Sequence, residues 1–497
     1  MKIKFVSKIN SLFPFPFSLS PVVLLAAMLL ASALSLNADP TNYTYNYDFW
    51  NEQVASPDAY RVSEYLLGST LGVGDFRDPR GLFIRDNRVY VCDSGNNRIL
   101  LFEVKENGEH VFVKSISSVI IDGKESDLNY PMDIFENRNG YLYITDTNNN
   151  RVLILDDNWN YVSTIGKPDD ESIGENTDFL PVKLVVDFAN RVFIQARNIN
   201  KGLMEFDSRG EFSGYIGANK VHVKIVDYAW KLISTRAQRE RMDLFIPTEY
   251  SNACLDSDGF IYVTNSTGQT DPVRRLNAMG QDILIRNGYE EPTGDLKPGD
   301  AGGIIGRSRF IDVAAFSNDS YACFDRTRGR IFMYDFQGNL LYAFGGVGNR
   351  EGSFILPVAI ANMGYSLYAL DSGAASLTRF DLTGYGQLIN KALDEYRAGR
   401  YEYSAELWEE VLKMNGNYDL AYIGIGRAAL RQGEYQKSMK YYKLKHYRKG
   451  YGKAYQLYRK QWMEENLWKI LLVLGILLFV PPVIRFFVNL VKEIKEA

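Results

Sequence analysis

Two stretches, RDNRVYVCDSGNNRILLFE from Arg85 to Glu103 and RNGYLYITDTNNNRVLILD from Arg138 to Asp156, are built to one pattern. Each runs through a turn, a strand of alternating character, Asp-Ser/Thr-x-Asn-Asn-Arg, and a second alternating strand. Period-two alternation on both sides of a polar turn is a β-hairpin, and its two faces let it pack between neighbouring sheets. Four weaker copies follow: RVFIQARNINKGLMEFD, GFIYVTNSTGQTDPVRRLN, SYACFDRTRGRIFMYD and SLYALDSGAASLTRFD. The marker Asp or its replacement falls at Asp93, Asp146, Ala196, Asn265, Asp325 and Asp371, in steps of 53, 50, 69, 60 and 46 residues.

Six units of mostly blade length predict a closed ring, a six-bladed β-propeller of mainly β class, because each sheet buries its faces only against two neighbours. The ends of the array support closure. EYLLGSTLGVGDFRDPRGL, Glu64 to Leu82, matches LYAFGGVGNREGSFILPVAI in order, while the sixth unit ends after its third strand at Asp381. The N-terminal segment is therefore expected to supply the outer strand of the last blade and remove its free edge. The propeller is expected over 60–384, after a linker over 39–59.

Pro79 to Leu82, Val89 to Asp93 and Asn96 to Arg98 resemble the NHL repeat, and Pro131, Asp146, Asn149 and Arg151 repeat the match. The resemblance covers roughly Tyr60 to Leu382. It implies a propeller but no particular activity, since members include interaction modules, lyases and sugar-lactone hydrolases. The long step between the third and fourth units holds an amphipathic stretch, 219–242, with Val221, Ile225, Ala229 and Leu232 on one side and Arg236, Arg239, Glu240 and Arg241 clustered after them. It reads as an inserted helix, either a lid over a binding face or a rim element.

After Gly384 the period changes from 2 to 3.6. Gly399, Tyr401 and Ala405 recur as Gly433, Tyr435 and Met439, each 34 residues on. That spacing resembles the tetratricopeptide repeat and implies a small α-helical domain over 385–465. The Tyr- and Lys-rich stretch from Tyr441 to Lys460 reads as a solvated helix face, or as a surface for anionic headgroups or polymer beside a membrane.

Both ends carry membrane signals. Lys2, Lys4 and Lys8, the apolar run from Pro21 to Leu36, and small residues at Ala31, Ala33 and Ala38 read as a signal peptide over 1–38, or as an N-terminal anchor. Leu467 to Val488 is apolar, with Pro481 and Pro482 inside it and Lys469 and Arg485 near its ends. A transmembrane helix over 467–488 with a short tail over 489–497 is expected, an interfacial helix being the alternative. Lys440, Lys443, Lys445, Arg448, Lys449, Lys453, Arg459 and Lys460 precede the span and oppose export by the positive-inside rule, but long translocated domains largely override that bias. The expected place is the cell membrane, with the propeller on the extracytoplasmic side of a bacterial envelope.

The 56 basic and 60 acidic residues, net charge −4, exclude nucleic-acid binding by general electrostatics. Cys92, Cys254 and Cys323 do not form a disulfide framework. His110, His222 and His446 stand in three contexts, against a three-His zinc site and the lyase activity of some NHL relatives.

Aligning the Pro-led inner strands places Gly81, Asp133, Lys183, Asn252, Asp312 and Ala359 at one level of a central channel. Asp133, Lys183, Asn252 and Asp312, with Arg80 beside them, are the candidate ligand-binding residues. Oxygens of Asp133, Asn252 and Asp312 are an alternative set for calcium, echoing the metal site of the lactone-hydrolysing propellers. The Lys183 ammonium competes with a metal and favours an ion pair across the channel. Asp93 with Arg98, Asp146 with Arg151 and Asp325 with Arg330 read as blade-fixing pairs. With no complete catalytic set, the expected function is a membrane-anchored binding or scaffold module for a protein partner or envelope glycan. The alternative is a calcium-dependent hydrolase of the gluconolactonase kind.

Overall fold

The strands fall into sheets whose order repeats, most of them led by a short inner strand. The computed structural model describes residues 44–496 except 171–172, 175–176, 219–248, 267–270, 289 and 297–305. The expected signal peptide over 1–38 and the inserted helix over 219–242 lie outside the described residues.

The chain is a six-bladed β-propeller followed by a helical region. The inner strands of the blades are Gly81–Arg85, Pro131–Glu136, Leu180–Val186, Asn252–Leu255, Phe310–Ala315 and Pro357–Met363. Blades one, two and three are regular four-stranded antiparallel sheets, and blade four has three strands among the described residues. The ring closes through Tyr60–Leu67, which pairs antiparallel with Ser376–Leu382 as the outer strand of blade six. This strand brings Tyr60 into the core, stacked on Phe344 with ring centroids 5.1 Å apart.

The geometry shared by the first two hairpins explains their composition. Asp93 accepts the Arg77 amide at 2.7 Å and, through its other oxygen, Asn96 Nδ2 at 2.8 Å and Arg98 Nε at 2.7 Å. Asp146 does the same with the Asn129 amide, Asn149 and Arg151. One buried carboxylate thus ties the loop entering a blade to the hairpin inside it. The neighbouring hydroxyls reach across to the following blade: Ser94 Oγ donates to the Pro131 carbonyl at 2.5 Å and Thr147 Oγ1 to the Pro181 carbonyl at 2.7 Å. The third expected pair does not form. Asp325 takes the Arg309 and Thr327 amides, while Arg330 turns to Asp295 at 2.6 Å, because a buried loop carboxylate lies closer to its guanidinium.

The stretch expected as a linker, 39–59, is part of the propeller from Thr44 onward. Tyr45–Tyr47 and Gln53–Ala55 form a hairpin that extends the outer edge of blade five. Alternating Tyr45 and Tyr47 bury a ring and a hydroxyl against that blade, which a polar linker would not do.

The helical region comprises α1 (Gly384–Arg397), α2 (Tyr401–Met414), α3 (Asp419–Gln432), α4 (Tyr435–Leu444) and α5 (Arg448–Glu496). Gly399 and Gly433 take φ of +80° and +83°, which glycine adopts without strain, where the turns after α1 and α3 begin. Ser404 Oγ donates to the Ala392 carbonyl at 2.7 Å, and Ser438 Oγ repeats the bond to the Gly426 carbonyl at 2.8 Å. α1 to α4 pack on blades five and six in one core with Phe344, Phe380, Tyr385, Ile389, Trp408 and Tyr418. Tyr418 Oη donates to the Leu341 carbonyl at 2.8 Å, Arg427 faces Asp335 at 3.4 Å, and Arg397 pairs with Asp319. α5 is unbroken through Pro481 and Pro482, and its apolar residues from Leu467 onward are exposed. It is long and apolar enough to cross a membrane.

Phe380 is fully buried among Phe344 and Phe354. Phe380→Ala is expected to cost about 3–5 kcal/mol in denaturant unfolding of the full chain. Deletion of Tyr60–Leu67 is expected to lower the melting temperature and broaden the transition, since it bares the edge of blade six; an unchanged melt refutes closure by this strand.

Candidate functional site in the central channel

Inner strands of blades two, three, five and six each slip register once, between Pro131 and Asp133, Pro181 and Lys183, Phe310 and Asp312, and Pro357 and Ala359. A bulge at the same place in each of these strands re-aims the next side chain. Asp133, Lys183, Asn252 and Asp312 pair across their hairpins with Thr145, Gln195, Thr264 and Phe324, each one residue before its blade's marker. The four therefore stand at equivalent positions. They line one cavity of about 130 Å³ whose walls include Phe83, Ile134, Phe135, Leu184, Val313 and Ile360. Gly81 holds the level in blade one, and a Cβ there would come within 2.6 Å of the Met132 carbonyl, so no side chain fits.

All four polar residues are buried, at 4 to 7% exposure. Lys183 Nζ lies 3.2 Å from Asp133 Oδ1, and Asp133 Oδ2 accepts the Leu184 amide at 3.0 Å. Asp312 Oδ1 accepts the Val313 amide and Oδ2 the Ile360 amide, both at 2.7 Å. Asn252 Oδ1 accepts the Ala253 amide at 2.7 Å. Asp133 thus grips blade three and Asp312 grips blade six.

Burial raises both carboxyls: Asp133 is moved above its ordinary value against the pull of Lys183, and Asp312 is pushed up to about 7. Burial would lower Lys183, but Asp133 and then Asp312 outweigh it and hold the ammonium charged. The Lys183–Asp133 contact is the ion pair expected across the channel.

Arg80 is not part of this cavity. It pairs with Asp78 at 2.7 Å, and Asp78 also accepts Tyr130 Oη at 2.5 Å and Ser372 Oγ at 2.6 Å. This places Arg80 in a link between blades, because the residue before the ring level points away from the channel axis. A calcium ion at the Asp133, Asn252 and Asp312 set would compete with the bonds already made there. Every carboxylate oxygen of Asp133 and Asp312 already accepts a backbone amide or the Lys183 ammonium, as does the Asn252 carbonyl its own neighbour's amide, while calcium asks for six to eight oxygens. Among the described residues no group of three or more His, Cys, Asp or Glu could hold a metal ion.

His110 is enclosed at the closing seam, Nδ1 2.8 Å from Glu64 Oε2 and Nε2 3.2 Å from Tyr368 Oη, and burial, then Arg379, pushes it down to about 4. His446 is exposed beside Phe49, far along the chain in the helical region, and His222 lies outside the described residues. Cys92 and Cys323 are buried free thiols, and Cys254 is half-buried and free. A second buried charge cluster carried no sequence signal: Asp295, 1% exposed, holds Arg328 Nε at 3.0 Å, Arg330 Nη1 at 2.6 Å and Tyr47 Oη at 2.8 Å, and accepts Tyr45 Oη as well. Burial and then Asp295 push Tyr47 up to about 12.

No protein-family model and no curated protein matches the sequence. Solved structures are similar to it in fold. Virginiamycin B lyase from Staphylococcus aureus is 14% identical over 65% of this chain and all of its own, with a TM-score of 0.39. A structural-genomics protein of unknown function from Bacteroides thetaiotaomicron is 11% identical over 67% of this chain and 80% of its own, TM-score 0.42. The extracellular domain of a hybrid two-component system of B. thetaiotaomicron is 12% identical over 66% of this chain and 43% of its own, TM-score 0.37. These likenesses transfer no chemistry to this chain.

Removing the one cation is expected to be costly. Lys183→Met strands two buried carboxylates and is expected to destabilise by about 3–5 kcal/mol in urea melts at neutral pH. Asp312 holds its proton more tightly folded than unfolded, so its stabilising contribution is fully present below the ordinary 3.8 and is lost as pH rises through about 7. Asp312→Asn is expected to flatten the fall in stability across that window; a wild-type slope in the variant shows that another group titrates.

Proposed function

We propose that this chain is an exported, membrane-anchored binding and scaffold protein, whose propeller face and helical repeats hold a protein partner or glycan at the cell envelope. The observation that carries the reading is mechanical. The helices share a core with blades five and six, and the last of them continues without a break into an exposed apolar run, so the propeller is rigidly mounted on a tether. The paired hairpins and the recurrence of the Ser404 and Ser438 bonds support assigning NHL and tetratricopeptide-like repeats to the two parts. Both are architectures that present surfaces rather than a fixed chemistry. The Lys183 ammonium within the channel ring speaks against a calcium-dependent hydrolase.

Two measurements test this. A chain ending at Asn466 is expected to leave the membrane fraction for the soluble one; its retention in alkali-washed membranes overturns the anchor. Trp50 is 73% exposed, and the native cysteines are buried or half-buried, so Trp50→Cys offers an accessible thiol on the propeller side. Labelling of that thiol in intact cells by a membrane-impermeant maleimide is expected, and labelling only after permeabilisation puts the propeller on the other face.

A further inference from the structure

The hydrogen-bond ledger of the channel is lopsided. Each of its side-chain oxygens already has a donor: both of Asp133, both of Asp312 and the carbonyl of Asn252. Its side-chain donors are less fully used. The Ala253 amide fixes which end of the Asn252 side chain is oxygen, so Nδ2 is turned away from that amide, and among the described residues no acceptor takes it. Lys183 Nζ has three hydrogens and, among the described residues, one hydrogen-bonded partner, Asp133. Both residues line the cavity and are more than nine-tenths buried. Donors of a buried amide and a buried ammonium that meet no protein acceptor are left to water or to a ligand in the cavity.

From this juxtaposition of unspent Asn252 and Lys183 donors at the polar end of an apolar-walled channel, we infer a binding site for a small neutral molecule with a carbonyl oxygen. The oxygen sits between Asn252 Nδ2 and Lys183 Nζ, and the apolar body lies against Phe83, Ile134, Phe135 and Ile360. Charge selects the class. Lys183 is already balanced by Asp133, and Asp312 stands in the same ring, so an anionic head adds a buried negative charge without a counterion. A cationic head meets donors. A neutral carbonyl accepts from both nitrogens and leaves the net charge unchanged. A cavity of about 130 Å³ admits a ring of a few carbons, not a sugar chain or a peptide. The site is independent of the scaffold reading, which rests on the outer surfaces and the tether.

The probe is N-methyl-2-pyrrolidone, a water-soluble ring amide with a carbonyl acceptor and no N–H donor, titrated into the full chain in nanodiscs by ligand-observed NMR. Saturable binding in the millimolar range is expected. Asn252→Asp keeps the shape and the oxygen facing Ala253 but removes both amide donors, and is expected to weaken binding about tenfold or more. Should that variant not fold, Asn252→Ser, which retains an oxygen for the Ala253 amide, is expected to show the same direction of change. Absence of saturable binding to the wild type, with the donors then served by water alone, overturns the site. Equal affinity in the wild type and a folded Asn252 variant overturns it too. Sodium acetate, the anionic control, is expected to bind at least about tenfold more weakly than the amide; tighter acetate binding overturns the neutral-carbonyl assignment.

Discussion

The ladder between Tyr60–Leu67 and Ser376–Leu382 is the constraint on which the rest depends. A blade cannot bury its own two faces, so the sheets are stable only in a ring, and a ring of sheets strung on one chain has one seam. Here the seam is closed by backbone bonds between residues more than three hundred positions apart in sequence, backed by Tyr60 packed on Phe344. Every later arrangement, including the channel and the surface on which the helices sit, presupposes that join.

Inside the ring, polar groups do two kinds of work. Asp93 and Asp146 sit in dense nets of donors that stitch loops to hairpins. Asp133 and Asp312 reach from one inner strand to the backbone of the next, with Lys183 supplying the cation that makes two buried carboxylates tolerable. This division explains why the channel offers little to a metal: its oxygens are structural.

Much of this was legible in the residues. Four Asp markers, with Ala196 and Asn265 in their place twice, located six hairpins, and the order of turn, strand and proline in Glu64 to Leu82 identified the closing segment. Aligning the inner strands put Asp133, Lys183, Asn252 and Asp312 at one level, because each pairs with the residue just before its blade's marker. What could not be read was set by tertiary approach. Arg330 has Asp325 as its sequence partner, yet Asp295, from a loop without periodicity, meets it first. Arg80 is adjacent to the ring in sequence and outside it in space, since neighbouring residues of a strand face opposite ways. The strands Tyr45–Tyr47 and Gln53–Ala55 are three residues each, too short to announce themselves against a linker.

The first residue of α1, Gly384, follows Leu382, the end of the strand that holds the seam, by two positions. Any tension arriving along α5 therefore enters the ring at its join, the one place where pulling could peel it open. The shared core of Tyr385, Trp408 and Tyr418 with Phe344 and Phe380, and the Tyr418 bond to Leu341, spread that force sideways into blade five before it reaches the seam. The helices thereby act as strain relief, much as a cable is clamped short of its solder joint.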